Sequence, residues 1–302
     1  MTSLAELQSR FASVDYLTFK ELASGFIAID ITTAFATASI ALQGAHVLAW
    51  QPVGQKPVIW LSKAAKFVPG KSVRGGVPLC WPWFGPHSSE AGYPAHGFAR
   101  TLPWTLTDAH KLPDGRVRLE FAPKINDAAL VQWPHASTVK ATVTVGRELV
   151  VGLATQNTGT TPFQIGQALH TYFAIGDIAQ VSVAGLEGST YIDKVAGGKR
   201  TKQKGVVTFA GEVDRVYLDT AGCTGIIDPV LKRTLLITST GSRSTVVWNP
   251  GAAKAAKMGD FGKQGENKMV CVETANAADD VITLAPGESH RMTAQYRVIR
   301  HG

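Results

Sequence analysis

Short apolar stretches with alternating side chains recur along this sequence at a spacing of about ten residues, and this pattern limits the folds open to it. Phe26–Ile31 and Ser137–Val145 are clear examples, since every second side chain there would lie on one face of a strand. Two further stretches flank the turn Leu112–Gly115, where Pro, Asp and Gly favour a tight hairpin. The pattern predicts an all-β fold of antiparallel strands, arranged as a sandwich or barrel.

Helical periodicity is confined to two short stretches. Leu4–Phe11 predicts a helix with Thr2 or Ser3 as its cap, and Ala252–Met258 predicts a second, brief one. Every other periodic stretch has the strand pattern: Ala38–Leu42, His46–Trp50, Val58–Leu61, Trp104–Thr107, Arg116–Phe121, Glu148–Asn157, Phe163–Phe173, Gln180–Val183, Val206–Phe209, Arg215–Tyr217, Leu235–Ser239, Ser244–Trp248, Met269–Glu273 and His290–Val298. We predict Phe163–Phe173 as one long strand.

The domain organisation follows from length and composition. The chain has 302 residues, of which 45% are hydrophobic and 18% charged, as expected of a globular protein with a sizeable core. No proline- or serine-rich linker divides it, and no internal repeat recurs at a fixed period. We therefore predict one β-sandwich domain spanning residues 1–302.

The charge distribution bears on the partners. The net charge is +7, but the basic residues are spread along the chain. The dense basic run Gly198–Gly205 has no interleaved aromatic residues and is interpreted as a solvated loop, so we expect no nucleic-acid partner. Excess positive charge suits a small anionic substrate. Since no stretch of 18 apolar residues and no apolar secretory segment occurs, we expect no membrane partner and a cytoplasmic location.

Cysteines and histidines are the residues of this sequence most suited to bind zinc. Cys80, Cys223 and Cys271 lie far apart and form no CxxC motif, which argues against a disulfide framework and against a zinc site built on thiolates. A zinc site formed by His96, His170 and a carboxylate would have suitable donor atoms, but these residues show no local spacing signature. The sequence therefore predicts no metal site.

The segment Arg74–Arg100 has the most unusual composition. Its glycines and prolines exclude a helix and favour a stiff, irregular loop. Its aromatic residues Trp81, Trp83 and Phe84, with an arginine at each end, suit a site for a polar, flat-faced, anionic ligand. The same features fit a rigid surface loop whose tryptophans cover the core. Composition leaves both interpretations open.

Four ionisable residues stand where a β-rich enzyme would carry its chemistry: His96, His170, Asp214 and Glu273. Each has a structural alternative. A histidine on a strand, such as His170, is often satisfied by a backbone carbonyl, and Asp214 beside Arg215 could form a surface ion pair. Glu273 is the strongest candidate, because a glutamate at the end of an apolar strand is costly to bury unless it is paired or functional.

Several motifs occur in a characteristic order: GAHVLAWQP (44–52), RGGVPLCWPWFGPH (74–87), HGFAR (96–100), LHTYF (169–173), VDRVY (213–217) and VCVETAN (270–276). Together they resemble the aldose 1-epimerase superfamily, and within it the bacterial and fungal branch of glucose-6-phosphate 1-epimerases, or hexose-6-phosphate mutarotases. The resemblance runs from about Ile31 to Val298 and so covers nearly the whole chain.

The resemblance implies a fold and an activity. The fold is a large antiparallel β-sandwich of the galactose mutarotase type, with the sugar site in a cleft on one face. The activity is that of an isomerase, which interconverts the α and β anomers of a hexose 6-phosphate, glucose 6-phosphate first, with no metal or organic cofactor. The expected partner is therefore the small-molecule hexose phosphate, and we expect a monomer.

The resemblance also implies a role for each matching polar residue. Two are catalytic, three hold the sugar or its phosphate at either end of the loop, and one holds sugar hydroxyls: His170 (general acid), Glu273 (general base), His96 (near the ring oxygen), Arg74 and Arg100 (phosphate) and Asp214 (hydroxyls). We expect a partly desolvated Glu273 with a raised pKa, because a base of near-neutral pKa serves both directions of the reaction. Ala95 stands where some relatives carry a polar side chain, so a ligand contact there is lost or moved.

Two alternative functions stay open. A mutarotase for unphosphorylated aldoses such as galactose would give no reason for two guanidinium groups, Arg74 and Arg100. A noncatalytic sugar-phosphate sensor or carbohydrate-binding module would keep the arginines but would not need His170 and Glu273 together. The basic pair Lys199–Arg200 could also reach a phosphate.

Overall fold

The computed structural model describes residues 3–301. Its helices are α1 (Leu4–Arg10), α2 (Asp127–Gln132) and α3 (Gly251–Met258). Its strands are β1 (Leu17–Ala23), β2 (Phe26–Thr32), β3 (Ala36–Ala41), β4 (His46–Pro52), β5 (Leu79–Cys80), β6 (Trp104–Lys111), β7 (Val117–Pro123), β8 (Ser137–Val145), β9 (Leu149–Asn157), β10 (Phe163–Ile165), β11 (Gln167–Leu169), β12 (Tyr172–Ala174), β13 (Ser182–Ala184), β14 (Thr190–Asp193), β15 (Lys199–Lys202), β16 (Val213–Leu218), β17 (Cys223–Asp228), β18 (Arg233–Thr240), β19 (Ser244–Asn249), β20 (Met269–Asn276), β21 (Ile282–Leu284) and β22 (Ser289–Arg300).

Two large antiparallel sheets carry the architecture. The first, here the continuous sheet, has the order β13–β17–β18–β22–β9–β8–β7–β6. The second, here the site sheet, has the order β15–β14–β16–β19–β20–β11–β5, and β12 also pairs with β20. Smaller sheets form from β1–β2–β3–β4 and from β10 with β21.

The main hydrophobic core lies between the two large sheets. Val270 and Val272 of β20 belong to the same buried cluster as Leu153 of β9. Phe173 of β12 meets Tyr296 of β22 edge to face, with ring centroids 5.2 Å apart. Because strand side chains alternate, β20 directs its other face away from this core. The prediction of a large antiparallel β-sandwich is confirmed.

The predicted long strand Phe163–Phe173 is wrong, since the structure divides it into β10, β11 and β12. The first break is at Gly166, where an added Cβ would lie 3.0 Å from the Phe84 backbone nitrogen. The second break is at His170 and Thr171, where the Thr171 hydroxyl bonds to the Leu169 carbonyl and to the Tyr296 hydroxyl. The sequence suggested that His170 lies on a strand. In the structure it lies between two strands.

The pairing register is the same on both sides of the second break. Leu169 lies opposite Thr274, and Tyr172 lies opposite Cys271. Continuing this register across the gap places His170 opposite Glu273. Glu273 itself was expected at the end of its strand, but β20 continues to Asn276. The acid–base candidates therefore face each other in the middle of the site sheet.

Other predictions met mixed outcomes. The N-terminal helix is confirmed, and Ser3 forms a capping box with Glu6. Two predicted strands, Val58–Leu61 and Val206–Phe209, do not form. Each makes only isolated bridges to neighbouring segments, at single residues. The basic run predicted as a loop contains β15, whose four side chains are all exposed, so no apolar alternation could reveal it. Strands β1, β5, β14, β17 and β21 and helix α2 were also not predicted.

The hairpin predictions are confirmed. β6 and β7 pair around the turn Leu112–Gly115, in which the Gly115 N–H donates to the Leu112 carbonyl. β8 and β9 pair in register from Ser137 opposite Asn157 to Val145 opposite Leu149.

Of the helices in the described part of the chain, none is long and apolar enough to cross a membrane. The assignment of residues 1–302 to a single domain stays a prediction.

Candidate active site

A cavity of about 470 Å³ opens against the site sheet, on the side away from the main core. All six residues predicted for the site line it: Arg74, His96, Arg100, His170, Asp214 and Glu273. They come from two loops, the break between β11 and β12, and the strands β16 and β20. The structure thus brings together residues that are up to two hundred positions apart in the sequence, as Arg74 and Glu273 illustrate.

Glu273 lies at the bottom of the cavity and is only 1% exposed. Its Oε1 atom is 3.4 Å from Nδ1 of His170. Its Oε2 atom is buried and has no hydrogen-bond partner within residues 3–301. Burial raises the pKa of this carboxyl well above its ordinary value; nearby Asp214 adds to the rise, and Arg100 opposes it. The expected direction of this pKa shift agrees with the structure, although burial is nearly complete rather than partial.

His170 is held by aromatic rings. The Tyr172 ring stacks on it with centroids 5.0 Å apart and an angle of 14° between the planes. Trp248 and His96 approach edge-on at 5.9 and 5.7 Å. Burial lowers the pKa of His170 well below 6.5, helped by the positive potential of neighbouring groups, so the imidazole is neutral at pH 7 in the ligand-free protein. The imidazole and the carboxyl are close enough to exchange a proton.

His96 is fixed by an unusual backbone. It has a φ of 67°, and the following Gly97 has a φ of 68°. A Cβ on Gly97 would lie 2.0 Å from the Trp81 carbonyl oxygen, so only glycine fits there. The His96 ring packs against Phe84 with centroids 4.8 Å apart, and burial lowers its pKa to about 3. The HGFAR motif therefore presents a neutral imidazole to the cavity.

Arg74 is already paired. Its Nε donates to Asp260 at 3.1 Å, and its Nη1 donates to the Tyr172 hydroxyl at 2.9 Å. The two glycines after it both have positive φ angles, and a Cβ on Gly76 would lie 2.2 Å from Nε2 of His46. The RGG motif is thus a tight turn that sets the direction of the Arg74 side chain. The remaining N–H groups of the Arg74 guanidinium can donate to a ligand.

Arg100 differs from Arg74 because no carboxylate pairs with it among the described residues. Its Nη2 donates to the Ala95 carbonyl at 2.8 Å, while its Nε is buried without a partner. Lys194, an exposed residue on the cavity wall, likewise makes no ion pair within residues 3–301. Two cations without carboxylate partners around one cavity favour an anionic ligand.

Asp214 lies half-buried on β16 and faces the same cavity. Burial raises its pKa, and the positive charges of Lys194 and Lys254 act in the opposite direction. Lys254 itself donates to Glu212 at 2.6 Å. The suggested surface pair of Asp214 with Arg215 does not form, since Arg215 turns instead to Asp193 at 3.5 Å.

The loop aromatics separate into two groups. Trp81 is buried in the core and donates to the Thr155 hydroxyl. Trp83 donates to the Pro94 carbonyl and stacks on Tyr93, so it shapes the loop. Only Phe84 of the three lines the cavity. The scaffold interpretation therefore holds for both tryptophans.

Sequence reasoning missed several cavity residues: Tyr172, Lys194, Trp248, Lys254 and Asp260. Tyr172 stands two positions after His170, so on a regular strand both would share a face, and this signal could have found it. The lysines and Asp260 lie on other elements and carry no local signal. The basic pair Lys199–Arg200 does not line the cavity, and Arg200 pairs with Asp279.

The antiparallel β-sandwich is the fold of the galactose mutarotase-like proteins, and in this chain its cavity holds a carboxyl–imidazole pair and cations. The sequence model of the family described as aldose 1-epimerase matches residues 28–297. The chain therefore belongs to the aldose 1-epimerase family.

Individual relatives agree with this assignment. A protein of Escherichia coli (strain K12), provisionally named a glucose-6-phosphate 1-epimerase, is 45% identical over 243 residues, which is 80% of each chain. A protein of Salmonella typhimurium with the same provisional name is 44% identical over 80% of each chain. The crystal structure of a provisionally assigned mutarotase from Salmonella typhimurium superposes with a TM-score of 0.89 and 37% identity, covering 98% of this chain and 99% of the other. A galactose mutarotase-like protein from Clostridium acetobutylicum, at 13% identity and a TM-score of 0.69, shares the fold.

Proposed function

We propose that this protein interconverts the α and β anomers of hexose 6-phosphates, with glucose 6-phosphate as the first substrate to test. The observation that carries the proposal is the buried Glu273 facing His170 at 3.4 Å, in a cavity that also holds the unpaired Arg100. The family supplies the reaction type, and the names of relatives at 45% and 44% identity supply the phosphorylated substrate.

The chemistry needs one base and one acid. Opening a pyranose ring requires the C1 hydroxyl to lose a proton while the ring oxygen gains one. In the proposal Glu273 takes the proton from the C1 hydroxyl and His170 gives a proton to the ring oxygen. The free aldehyde then rotates about C1–C2, and the two groups reverse their roles to close the ring on the other face. Each contributes roughly 10²–10⁴-fold to the rate.

The environment of the pair suits a reversible reaction. Burial raises the proton affinity of the Glu273 carboxylate and lowers that of the His170 imidazole. A carboxylate with a raised pKa is a stronger base, and an imidazolium with a lowered pKa is a stronger acid, so each shift favours the role that the proposal gives to that group. Tyr172, stacked flat on His170, fixes the plane of the imidazole and offers a π face to the imidazolium when it forms.

Substrate binding is assigned to the cavity walls. His96 would lie near the ring oxygen, and Asp214 would accept hydrogen bonds from sugar hydroxyls. Arg74 and Arg100 would bind the phosphate, and we add Lys194 to that set because it reaches the cavity without an ion pair. Guanidinium groups suit phosphate because they form paired, charge-assisted hydrogen bonds.

Location and assembly complete the proposal. We expect a cytoplasmic monomer that acts on a hexose phosphate without a cofactor and binds neither nucleic acid nor membranes. A monomer is checked by sedimentation at the protein concentration used for kinetics.

The activity is tested by NMR exchange between the anomers of glucose 6-phosphate. Wild type should exchange them far faster than buffer alone, and Glu273→Gln should lose roughly 10²–10⁴-fold. The matched control is Glu148→Gln, which changes a carboxylate between β8 and β9, away from the cavity. Equal exchange rates for wild type and Glu273→Gln would reject the acid–base role, and no exchange above buffer would reject the activity.

A further inference from the structure

A cysteine thiol lies beside the acid–base pair and has no part in the proposed proton transfers. Cys271 and Glu273 are on the same face of β20, two residues apart, and the register places His170 opposite Glu273 and Tyr172 opposite Cys271. The Sγ atom of Cys271 is 3.7 Å from Nδ1 of His170, and the nearest Glu273 oxygen is 3.4 Å from the same nitrogen. All three donor atoms lie within 4.8 Å of one another.

The two separations from Nδ1 of His170 fit two edges of a tetrahedral zinc site. With a Zn–S bond of about 2.3 Å and Zn–N and Zn–O bonds of about 2.0–2.2 Å, the tetrahedral angle sets the N···O separation at about 3.4 Å and the N···S separation at about 3.6 Å. The observed values of 3.4 and 3.7 Å match these two edges. A thiolate, an imidazole and a carboxylate are all ligands that zinc accepts.

A second observation points to a ligand at the same carboxylate, whose two oxygens could both bind zinc. Oε2 of Glu273 is buried and has no hydrogen-bond partner among residues 3–301, although buried carboxylate oxygens normally have one. The cavity adjoins Glu273 and His170, so it supplies an entry path and room for water as a fourth ligand.

We propose that His170, Cys271 and Glu273 form a zinc-binding site and that zinc bound there inhibits the enzyme. The inhibition, unlike the binding, rests on the proposed function. Zinc would occupy the lone pairs with which Glu273 and His170 accept protons, so neither could take part in ring opening. It would also compete with the hexose phosphate for the bottom of the cavity.

This site differs from the zinc site considered from the sequence. That alternative used His96, whose ring centroid is 5.7 Å from that of His170 and which is not part of the donor cluster. The spacing of the cysteines argued against thiolate ligands. Strand pairing nevertheless brings Cys271 to His170 across one hundred and one positions of sequence.

The experiment uses Co²⁺ and Zn²⁺ alone as probes. Cobalt bound to a thiolate gives a charge-transfer band in the near ultraviolet, which reports metal binding without any turnover. The rate of anomer exchange is measured at increasing zinc concentrations. Each variant is compared with its own metal-free rate, which is measured in EDTA. The variants are Cys271→Ala and Cys271→Ser, with Cys223→Ser as the matched control because Cys223 is exposed and distant from the cavity.

The expected result is a cobalt band in wild type and Cys223→Ser that glucose 6-phosphate removes by competition. Zinc should inhibit these two proteins, and both Cys271 variants should need at least about 100-fold more zinc, since even outer partners of a metal ligand change affinity by 10–100-fold. Absence of the band in wild type, or equal zinc inhibition of the Cys271 variants, would overturn the proposal. If wild type shows the band but no anomer exchange, the metal site stands and the proposed function fails.

Discussion

The two large sheets share antiparallel pairing but differ in how far their strands run. In the continuous sheet, β8 and β9 have nine residues each and β22 has 12. In the site sheet, β11 and β12 have three residues each and are separated by His170 and Thr171. An unbroken ladder uses its backbone groups for pairing and its inward side chains for packing. The interrupted ladder sets His170 free to turn into the cavity, while the core beneath stays packed.

The comparison suggests a division of labour. The continuous sheet packs buried aliphatic side chains such as Leu119, Val143 and Leu153 into the main core, and none of the six predicted site residues lies on it. The site sheet and its loops carry the titratable groups. Stability and activity should therefore respond to substitutions in different places.

The largest expected effect is on stability. Leu153 of β9 is fully buried in the main cluster, and Leu153→Ala should lower the free energy of unfolding by about 2–5 kcal/mol, because it removes packed methyl groups and leaves a cavity. Urea denaturation measures this loss. The turnover number of the folded fraction should stay within about twofold of wild type, as far as the division of labour holds. A large fall in turnover with little loss of stability would break the comparison.

The second effect is on substrate selection. Arg100→Ala should raise KM for glucose 6-phosphate by roughly 10–100-fold, which is the expected loss of charge-assisted hydrogen bonds, and should change exchange of free glucose little. Anomer exchange measured with both sugars gives the ratio. Arg200→Ala is the matched control, because Arg200 is exposed and paired with Asp279. Equal losses on the two sugars would remove the case for phosphate recognition by Arg100.

The smallest effect is a pH dependence of stability at the edge of the site. His46 of β4 is buried, bonds to the Gly75 carbonyl at 2.8 Å and faces the positive charge of Arg100. Burial lowers its pKa to about 4 from 6.5 in the unfolded chain. The contribution of neutral His46 to the free energy of unfolding is therefore complete above pH 6.5 and is lost as the pH falls toward 4. Between pH 7 and pH 5 the free energy of unfolding should fall by about 2 kcal/mol through this histidine.

The His46 effect is isolated by difference. Urea denaturation of wild type and His46→Gln at pH 7 and pH 5 should show a smaller pH loss in the variant. Other buried histidines titrate in both proteins and cancel. A variant His46→Gln that loses as much stability as wild type would show that this histidine is not the source.

Much of the fold could be predicted because alternation is a local signal. The hairpins β6–β7 and β8–β9 and the helix α1 were found from spacing, turn residues and caps alone. The division of residues 163–173 could not be found, because its apolar neighbours continue the strand pattern while Gly166 and Thr171 respond to groups from distant segments. Strand β15 was hidden because all its side chains are exposed.

The site was predictable to the extent that its residues are unusual where they stand. Glu273 in an apolar strand and the arginines at the ends of a glycine-rich loop are visible in sequence, and the motif resemblance linked them. Lys194 and Asp260 were not visible, because an exposed lysine and a loop aspartate are ordinary in any sequence. Only the folded chain shows that they reach the same cavity as Glu273.

The shared register on either side of the His170 break has a consequence for how such a site can change. Acid and base are a cross-strand pair, so the spacing of the sheet itself sets the distance between them. Inserting or deleting a single residue in β20 would exchange its two faces, sending Val272 or Thr274 into the cavity and the carboxylate into the core. Variation in reaction specificity is therefore confined to substitutions and to loop length, while strand length near the pair is fixed.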